Sequence, residues 1–490
     1  MRYEPFIRRN LTAAGILLCA AETPIKSLNG APMTIEPIPS ENLIAADRRH
    51  LWHSLRQHQG LEKKPPMVVR EGKGCTVIDE DRKEYIDAMA GLFCVNVGYG
   101  RHEIVEAAAE QMRRLPFYPL SQSHAPAIRL AETLASILPS GLERAYFCNS
   151  GSEAVETALK LARQYGRQMH RGENRYKVIA RYRGYHGFTM GALSATGQVA
   201  RRKAFEPLMP GFLHVNPPDR YRCPYCQAAP TCTLACADEV EATVRYEGPD
   251  TVAAIIAEPV IGGGGVIVSP DGYLRRLREI CDRWGILLIL DEVITGFGRT
   301  GLLFGCQHWD VVPDIMTVAK GITSGYAPLG AAITTQEVFT AFLGEPEEGV
   351  HFSQVSTFGG HPVACAAASA NLEILLKERL WENAAVVGDY LKERLRMIRH
   401  PWIGEVRGMG LLIGIELVRD QSKTPLADKE MAAVSAAIKD AGVIVGRNVE
   451  TVPGLCNVLI LAPPLILSKD EADLIATAIE AGLKAVAPTA

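Results

Sequence analysis

The sequence predicts an α/β protein whose large domain is a mostly parallel sheet with helices on both faces. From about residue 74 to 332, short apolar segments alternate with helical patterns, which is typical of parallel strands joined through helices. Several apolar segments are uninterrupted, as expected for strands buried on both faces. A net charge of −3 over 490 residues, with 47% hydrophobic residues, indicates a globular protein and argues against nucleic-acid or membrane-surface binding.

The individual elements follow from this alternation. The predicted strands of the large domain are 145–148, 177–180, Val252–Ala257, 286–290 and 315–319. The predicted helices are 153–166, 271–284 and 362–378. Strands near 411–417 and 458–462, set among helical patterns, predict a smaller α+β domain. We expect an extension over 1–39, a small-domain segment over 40–84, a large domain over 85–345 and the rest of the small domain over 346–490.

The first residues are expected to lie outside the folded protein. Arg8 and Arg9 precede an apolar segment, 13–21, which is too short to span a bilayer and resembles a weak export signal. The alternative is a start at Met33, and we favour it because nothing downstream indicates an oxidising compartment. The twelve cysteines are mostly scattered through apolar segments, so we expect a reduced, cytoplasmic protein without membrane spans.

Polar residues follow each predicted strand, and together they predict one ligand site. In open parallel sheets, ligands bind beyond the carboxyl ends of the strands. An anion-binding turn, an aromatic residue, carboxylates and one lysine occupy these positions: 149–152, Tyr185-His186-Gly187, Glu258, Asp291-Glu292 and Lys320.

Each of these signals also has a structural explanation. The tetrad 150–153 has the pattern of a helix cap, although free N–H groups there would also bind a phosphate. Asp291 ends a buried strand and needs a cation or a hydrogen bond, which a structural ion pair could supply. Lys320 ends an apolar strand before a Gly-rich turn. Burial there would lower its pKa and provide a nucleophilic amine.

Five motifs resemble the class III pyridoxal-phosphate aminotransferases. They are Asn-Ser-Gly-Ser-Glu-Ala (149–154), Tyr-His-Gly (185–187), 291–301, Ala-Lys-Gly (319–321) and Thr-Phe-Gly-Gly-His-Pro (357–362). The resemblance extends from about residue 45 to 485. It implies a fold-type-I protein with a seven-stranded sheet in the large domain. It also implies pyridoxal 5'-phosphate as cofactor and a homodimer or tetramer with active sites between subunits.

The resemblance assigns roles to the residues at the strand ends. Lys320 would hold the cofactor covalently and then transfer protons, and Asp291 would pair with the pyridinium nitrogen. Tyr185 would stack on the ring, with Val293 on its other face. Glu258 would orient the cofactor and its neighbours. The remaining implied cofactor contacts are Ser150, Gly151 and Ser152 at the phosphate, His186, and Thr357 from the partner subunit.

Three further residues are candidates for the substrate pocket. Phe93 would line it, where many relatives have Trp. Trp52 either walls the pocket or is a core aromatic. Arg447 stands one place later than the arginine of relatives and is a candidate clamp for a carboxylate or sulfonate.

The segment 89–101 resembles the ω-amino-acid–pyruvate branch most closely. This implies an amine donor such as β-alanine, taurine, 4-aminobutyrate or a diamine, and a 2-oxo acid acceptor. Ile460 and Gly263 replace an Arg and a Glu of the 2-oxoglutarate-using relatives, which favours pyruvate. The alternatives are an adenosylmethionine–8-amino-7-oxononanoate aminotransferase, suggested by 51–53, and a non-catalytic cofactor-binding or regulatory protein.

Four cysteines lie within 14 residues, far closer than an even spread would place them: Cys223, Cys226, Cys232 and Cys236. The first pair has metal-ligand spacing, whereas the second does not follow a common zinc pattern. The alternative is an insertion loop with free thiols. We expect a peripheral loop without a role in catalysis and without a metal.

Overall fold

The computed structural model describes residues 40–226, 231–449 and 451–486, so the predicted extension over 1–39 lies outside the described residues. The chain divides into two compact units, one ending at Pro66 and the other beginning at Met67. The first unit contains α1 (Ser40–His50) and α2 (His58–Lys63). The boundaries expected at 84/85 and 345/346 stay a prediction.

The second unit contains the rest of the secondary structure. Its strands are β1 (Val69–Lys73), β2 (Thr76–Asp79), β3 (Glu84–Asp87), β4 (Leu142–Cys148), β5 (Lys177–Arg181), β6 (Phe212–Val215), β7 (Val252–Ala257), β8 (Val260–Ile261), β9 (Ile267–Val268), β10 (Leu287–Asp291), β11 (Ile315–Val318), β12 (Gly330–Thr335), β13 (Ile403–Met409), β14 (Leu412–Leu417), β15 (Val443–Ile444), β16 (Gly446–Arg447) and β17 (Val458–Leu461). Its helices are α3 (Ala90–Phe93), α4 (His102–Arg114), α5 (Ala125–Ile137), α6 (Gly151–Met169), α7 (Met190–Ala195), α8 (Val199–Arg202), α9 (Ala235–Glu247), α10 (Tyr273–Trp284), α11 (Gln336–Thr340), α12 (Pro362–Lys377), α13 (Leu380–Met397), α14 (Asp428–Asp440) and α15 (Lys469–Val486).

A seven-stranded sheet forms the centre of this unit, in the order β4-β12-β11-β10-β7-β5-β6. The pairs β11/β10, β10/β7, β7/β5 and β5/β6 are parallel, and β12 runs antiparallel to both of its neighbours. The predicted mostly parallel α/β fold is therefore confirmed. Each of the five predicted strands lies within two or three residues of an observed one, whereas β6 and β12 were not predicted.

Side chains alternate between two apolar cores, one on each face of this sheet. In β7 and β10, Ala254, Ile256 and Ile289 belong to one core, which α6 covers. Ile255 and Leu288 belong to the other, which receives the apolar stripes of α10, α12 and α13. This alternation explains why the central strands are apolar at every position.

The unit also contains a two-stranded sheet, β8-β9, and two four-stranded sheets. In the order β1-β2-β3-β15, the strand β15 pairs in parallel with β3, so segments far apart in sequence share one sheet. The other has the order β13-β14-β17-β16 and places Gly446 opposite Ile460. Over the described parts of the chain, we find no helix with the length and apolarity that a membrane span requires.

Candidate active site

The carboxyl ends of β4, β10 and β11 meet at one point. A Cβ atom at Gly151, the first residue of α6, would lie 2.9 Å from Val293 Cγ1 and 3.6 Å from Ala319 Cβ. Gly151 is therefore in contact with the residue two places after Asp291 and the residue before Lys320. Lys320 has a φ of 45°, in the left-handed region that non-glycine residues rarely adopt outside functional sites.

The start of α6 can bind an anion. Ser150 caps the helix, its Oγ accepting a hydrogen bond from the Glu153 amide at 3.2 Å. The Glu153 carboxylate accepts hydrogen bonds from Asn149 N and Nδ2, at 2.8 and 2.9 Å. The predicted cap therefore forms at Ser150, but the Glu153 carboxylate accepts a hydrogen bond from the backbone of Asn149 instead of that of Ser150. The amides of Gly151 and Ser152 lie in the first turn, where N–H groups have no carbonyl partner inside the helix.

Asp291 is a buried carboxylate held in a fixed orientation. Its Oδ2 accepts a hydrogen bond from His186 Nδ1 at 2.8 Å, and its Oδ1 accepts one from Val293 N at 3.1 Å. The His186 amide in turn donates to Thr196 Oγ1 at 2.9 Å. His186 Nε2 is buried and has no hydrogen-bond partner among the described residues. A buried polar atom without a partner indicates a missing ligand or water.

Glu258 holds in place the residues beside the predicted site of the cofactor ring. Its Oε1 accepts a hydrogen bond from Tyr185 N, and its Oε2 accepts one from Gly262 N, both at 3.0 Å. Burial raises the pKa of this carboxyl group. Glu258 therefore ties the loop that carries Tyr185 to the Gly-rich turn 262–265.

Lys320 has the character of a nucleophilic amine. Burial lowers its pKa, although charges on Cys94, Asp291 and Glu258 partly oppose this effect. Averaged over all its atoms, Lys320 is half-buried. The ring of Phe93 lies 5.9 Å from Lys320 Nζ, which places this predicted pocket residue next to the lysine.

A left-handed helical turn, α3, positions Phe93. Its four residues, Ala90 to Phe93, have φ values of 45°, 56°, 79° and 65°, and only one of them is a glycine. Each non-glycine residue in this conformation costs about 1–2 kcal/mol. Asp87 offsets part of that cost by accepting hydrogen bonds from Met89 N (3.0 Å), Gly91 N (2.7 Å) and Tyr99 Oη (2.6 Å).

Comparison with known proteins identifies the family. The model of aminotransferase class III matches residues 59–483. The chain belongs to the class III aminotransferases. It is 46% identical to an uncharacterised aminotransferase, YhxA, of Bacillus subtilis, over 91% of this chain and 98% of the relative. It is 42% identical to the taurine–pyruvate aminotransferase of Bilophila wadsworthia, over 89% and 96% of the two chains. The (S)-enantioselective ω-transaminase of Thermomicrobium roseum superposes with a TM-score of 0.86 at 42% identity, over 92% of this chain and all of that one.

Class III aminotransferases depend on pyridoxal 5'-phosphate, and the residues of this site fit that cofactor. The anion site at α6 suits the phosphate, and the buried Asp291 suits a protonated ring nitrogen. Lys320 suits a covalent bond to the aldehyde carbon. All three groups lie at the same edge of the sheet, where β10 and β11 are neighbours and the antiparallel β12 separates β11 from β4.

The sequence predicts site roles for three further residues. Thr357 is exposed, and the preceding Ser356 Oγ accepts a hydrogen bond from Asn149 Nδ2 at 2.9 Å. Arg447 is half-buried in β16 and pairs with Leu459 through the backbone. Trp52 belongs to the first unit, where its side chain is 89% exposed. The roles given to these three residues stay predictions.

The four clustered cysteines line a cavity of their own, together with Asp219, Tyr221 and Lys423. Within the described ranges, no three or more His, Cys, Asp or Glu side chains are grouped so that they could hold a metal ion.

Arg201 contacts a predicted cofactor residue, Tyr185, although no sequence motif points to it. Its guanidinium lies 5.3 Å from the centre of the Tyr185 ring, close enough for a cation–π contact. Gln198 accepts a hydrogen bond from Arg201 Nε at 2.7 Å and helps to hold it there. Arg201 lies in the short helix α8, and no motif marks it in the sequence.

Proposed function

We propose that the protein transfers an amino group from an ω-amino acid or primary amine to pyruvate, giving an aldehyde or semialdehyde and alanine. The adjacency of Lys320, Asp291 and the α6 N-terminus carries this proposal. The similarity to a taurine–pyruvate aminotransferase and to an ω-transaminase supports it.

When bound, pyridoxal phosphate supplies an electron sink for the carbon that loses its proton. The side chains of the protein supply the binding, the orientation and the proton transfer. Lys320 would hold the cofactor, and its lowered pKa makes Nζ a better proton acceptor than an exposed lysine at the same pH. Asp291, oriented by His186, would pair with the protonated ring nitrogen. Tyr185 and Phe93 shield the reacting atoms from water.

Two positions support pyruvate as the acceptor. Ile460 is buried in β17, where relatives that use 2-oxoglutarate carry an Arg. At Gly263, where those relatives carry a Glu, an added Cβ atom would make only ordinary contacts, such as 3.9 Å to Tyr185 Cβ. A dicarboxylate would therefore have to bury its second charge without this Arg.

Steady-state rates with pyruvate and with 2-oxoglutarate, at a fixed amine donor, test the proposed preference for pyruvate. We expect kcat/KM for pyruvate to exceed that for 2-oxoglutarate by about a hundredfold or more, because an unpaired buried charge costs several kcal/mol. Comparable values would contradict the proposal. The variant Arg447→Gln would then show whether Arg447 pairs with the second carboxylate.

We further propose that Arg447 binds the acidic group of the donor. Arg447→Gln should lower kcat/KM for taurine and β-alanine by about tenfold to a hundredfold, the value of a charge-assisted hydrogen bond. It should leave propylamine, which has no acidic group, unchanged. Equal losses for charged and uncharged donors would assign Arg447 a structural role.

A homodimer in the cytoplasm completes the proposal. Val355 is 86% exposed and Phe358 is 56% exposed, on either side of Thr357, which supports a subunit contact at this point. Val355→Asp combined with Phe358→Asp should weaken both dimerisation, measured by light scattering, and cofactor retention.

The cysteines of the described residues carry free thiols, which fits a reducing compartment, and cell fractionation tests the proposed cytoplasmic location.

A further inference from the structure

The four clustered cysteines surround a cavity of about 150 Å³ in the second unit. They are Cys223, Cys226, Cys232 and Cys236. The mechanism proposed for the active site uses none of them. Cys223 and Cys236 are buried, whereas Cys226 and Cys232 are partly exposed. Solvent therefore reaches some of these thiols and not others.

The turn over Cys223 to Cys226 brings two of the thiols together. Cys223 Sγ accepts a hydrogen bond from Cys226 N at 3.3 Å, so the chain folds back on itself between the two residues. Two intervening residues are the spacing of redox-active cysteine pairs. Thr233 Oγ1 lies 3.2 Å from Cys226 Sγ and fixes this thiol from the other side.

The thiols of this cavity differ in acidity. Hydrogen bonds from the side chain and the backbone of Thr233 lower the pKa of Cys226 to about 7, and the thiols of Cys223 and Cys232 add to this effect. Burial raises the pKa of Cys236 to about 12. Only a thiolate reacts readily with peroxides, so Cys226 is the reactive member and Cys236 is inert.

We propose that Cys223 and Cys226 form a reversible disulfide when the protein meets a hydroperoxide. The Cys226 thiolate attacks the O–O bond and, with one proton, gives a sulfenic acid and an alcohol, or water from hydrogen peroxide. The Cys223 thiol then attacks the Cys226 sulfur and releases water. The two thiols lose two electrons and two protons, and the hydroperoxide gains them. A dithiol such as dithiothreitol reverses the reaction by exchange.

The turn is anchored away from the reacting atoms. Asp219 Oδ1 accepts hydrogen bonds from Tyr221 N (3.1 Å) and Arg222 N (3.3 Å), which fixes the segment just before Cys223. Lys423 Nζ donates to the Tyr221 carbonyl at 2.7 Å from the other side of the cavity. Since none of these residues belongs to the active site, replacing the cysteines should leave basal transamination unchanged.

Thiol counting and peptide mapping of the purified holoenzyme treated with hydrogen peroxide test the proposal. Wild type should lose two thiols, and fragmentation of the peptide that follows Arg222 should place the cross-link between Cys223 and Cys226. Cys232→Ser combined with Cys236→Ser should behave as wild type. Cys223→Ser and Cys226→Ser should each fail to form this cross-link. In a separate alkylation experiment, Cys226→Ser should lack the thiol that reacts fastest with iodoacetamide near neutral pH.

Several results would overturn the proposal. One is a wild type that keeps all its thiols under peroxide. A second is a cross-link between another pair, such as Cys226 and Cys232. A third is stoichiometric zinc that protects the thiols until a chelator removes it, because the four cysteines would then be a metal site. Mapping the wild type directly keeps the test decisive even if a variant folds poorly.

Discussion

Two clusters of buried charges contact the Gly-rich turn 262–265, and they differ in how their charges are satisfied. The cofactor cluster consists of His186, Glu258, Asp291 and Lys320. The paired cluster consists of Arg183, Asp219, Arg222, Arg407 and Glu416. Glu258 accepts a hydrogen bond from Gly262 N, whereas Arg183 and Arg407 donate to the carbonyls of Gly264 and Gly265.

In the paired cluster, each charge meets an opposite charge. Arg183 Nη1 lies 2.5 Å from Asp219 Oδ2. Glu416 is fully buried and binds Arg222 Nε at 2.5 Å and Arg407 Nη1 at 2.6 Å. This cluster joins the cysteine-bearing segment, the Gly-rich turn and the sheet that contains β13 and β14. Arg407 Nη1 also lies 2.6 Å from Glu405 Oε2, so the three arginines of the cluster face three carboxylates and the charges are neutralised within the protein.

In the cofactor cluster, the carboxylates of Asp291 and Glu258 are held by hydrogen bonds, and Lys320 has a lowered pKa instead of a close ion pair. In this cluster, burial raises the pKa of Glu258 and lowers the pKa of Lys320. Such groups mark functional sites, whereas fully paired charges contribute to structure. The predictions below test this difference, from the largest expected effect to the smallest.

Asp291→Asn should have the largest effect, a fall in kcat of about 10²–10³-fold, because it removes a charge aimed at the cofactor ring. Steady-state kinetics on enzyme of known cofactor content measures it. Asp291→Glu, which keeps the charge but displaces it, should lose less. A kcat for Asp291→Asn close to that of wild type would remove Asp291 from the catalytic residues.

Glu416→Gln should affect stability and not chemistry. It leaves two buried guanidinium groups without their shared partner, which should lower the free energy of unfolding in urea by about 3–5 kcal/mol. The matched control is Glu480→Gln, which breaks the exposed pair with Lys484 and should cost about 0.3–0.5 kcal/mol. A loss of kcat per cofactor-loaded site in folded Glu416→Gln protein would show that the two clusters are not separate in function.

Asp87→Asn tests the left-handed turn that carries Phe93. Removing the charge that Tyr99 Oη and two amides contact should cost about 1–3 kcal/mol of local stability. We expect a higher KM for the amine with cofactor binding preserved, because Phe93 loses its fixed position. Tyr99→Phe deletes one of the three hydrogen bonds and should shift KM less. An unchanged KM in both variants would show that the turn needs no such support.

The lowered pKa of Lys320 predicts a pH dependence in the cofactor-free protein. Between the folded pKa and the ordinary value of 10.5, the unfolded state binds the extra proton, so the free energy of unfolding rises with pH in that window. The variant Lys320→Met has no amine at this position and therefore lacks this contribution to the pH dependence of stability. Its stability advantage over wild type should therefore shrink as the pH rises toward 10.5. A constant difference would mean that the lysine titrates normally.

The sequence predicted the cofactor cluster because its members stand at the ends of uninterrupted apolar strands. Lys320, Asp291 and the 149–152 turn each follow a strand that the apolar pattern identifies, and parallel topology brings such ends together. The strand β12 was missed because Gly330 and the small residues after it lack the bulky apolar side chains of the central strands. The strand β6 lies at the sheet edge and is only partly buried.

The paired cluster and the left-handed turn could not be predicted in the same way. Arg183 and Glu416 are more than two hundred residues apart, and no local pattern links them. Ala90, Leu92 and Phe93 adopt a conformation that their own propensities oppose, and the three hydrogen bonds of Asp87 that support it carry no sequence signature. The pairing of His186 with Asp291 likewise depends on two loops that meet only in the folded chain.

Borohydride reduction followed by peptide mapping tests the central claim most directly. The purified enzyme should show a visible absorption band that reduction abolishes, and mass spectrometry should place the reduced pyridoxal phosphate on Lys320. Lys320→Ala should show neither the band nor the adduct. An adduct on another lysine of the wild-type enzyme, with full activity before reduction, would contradict the assignment of the active site.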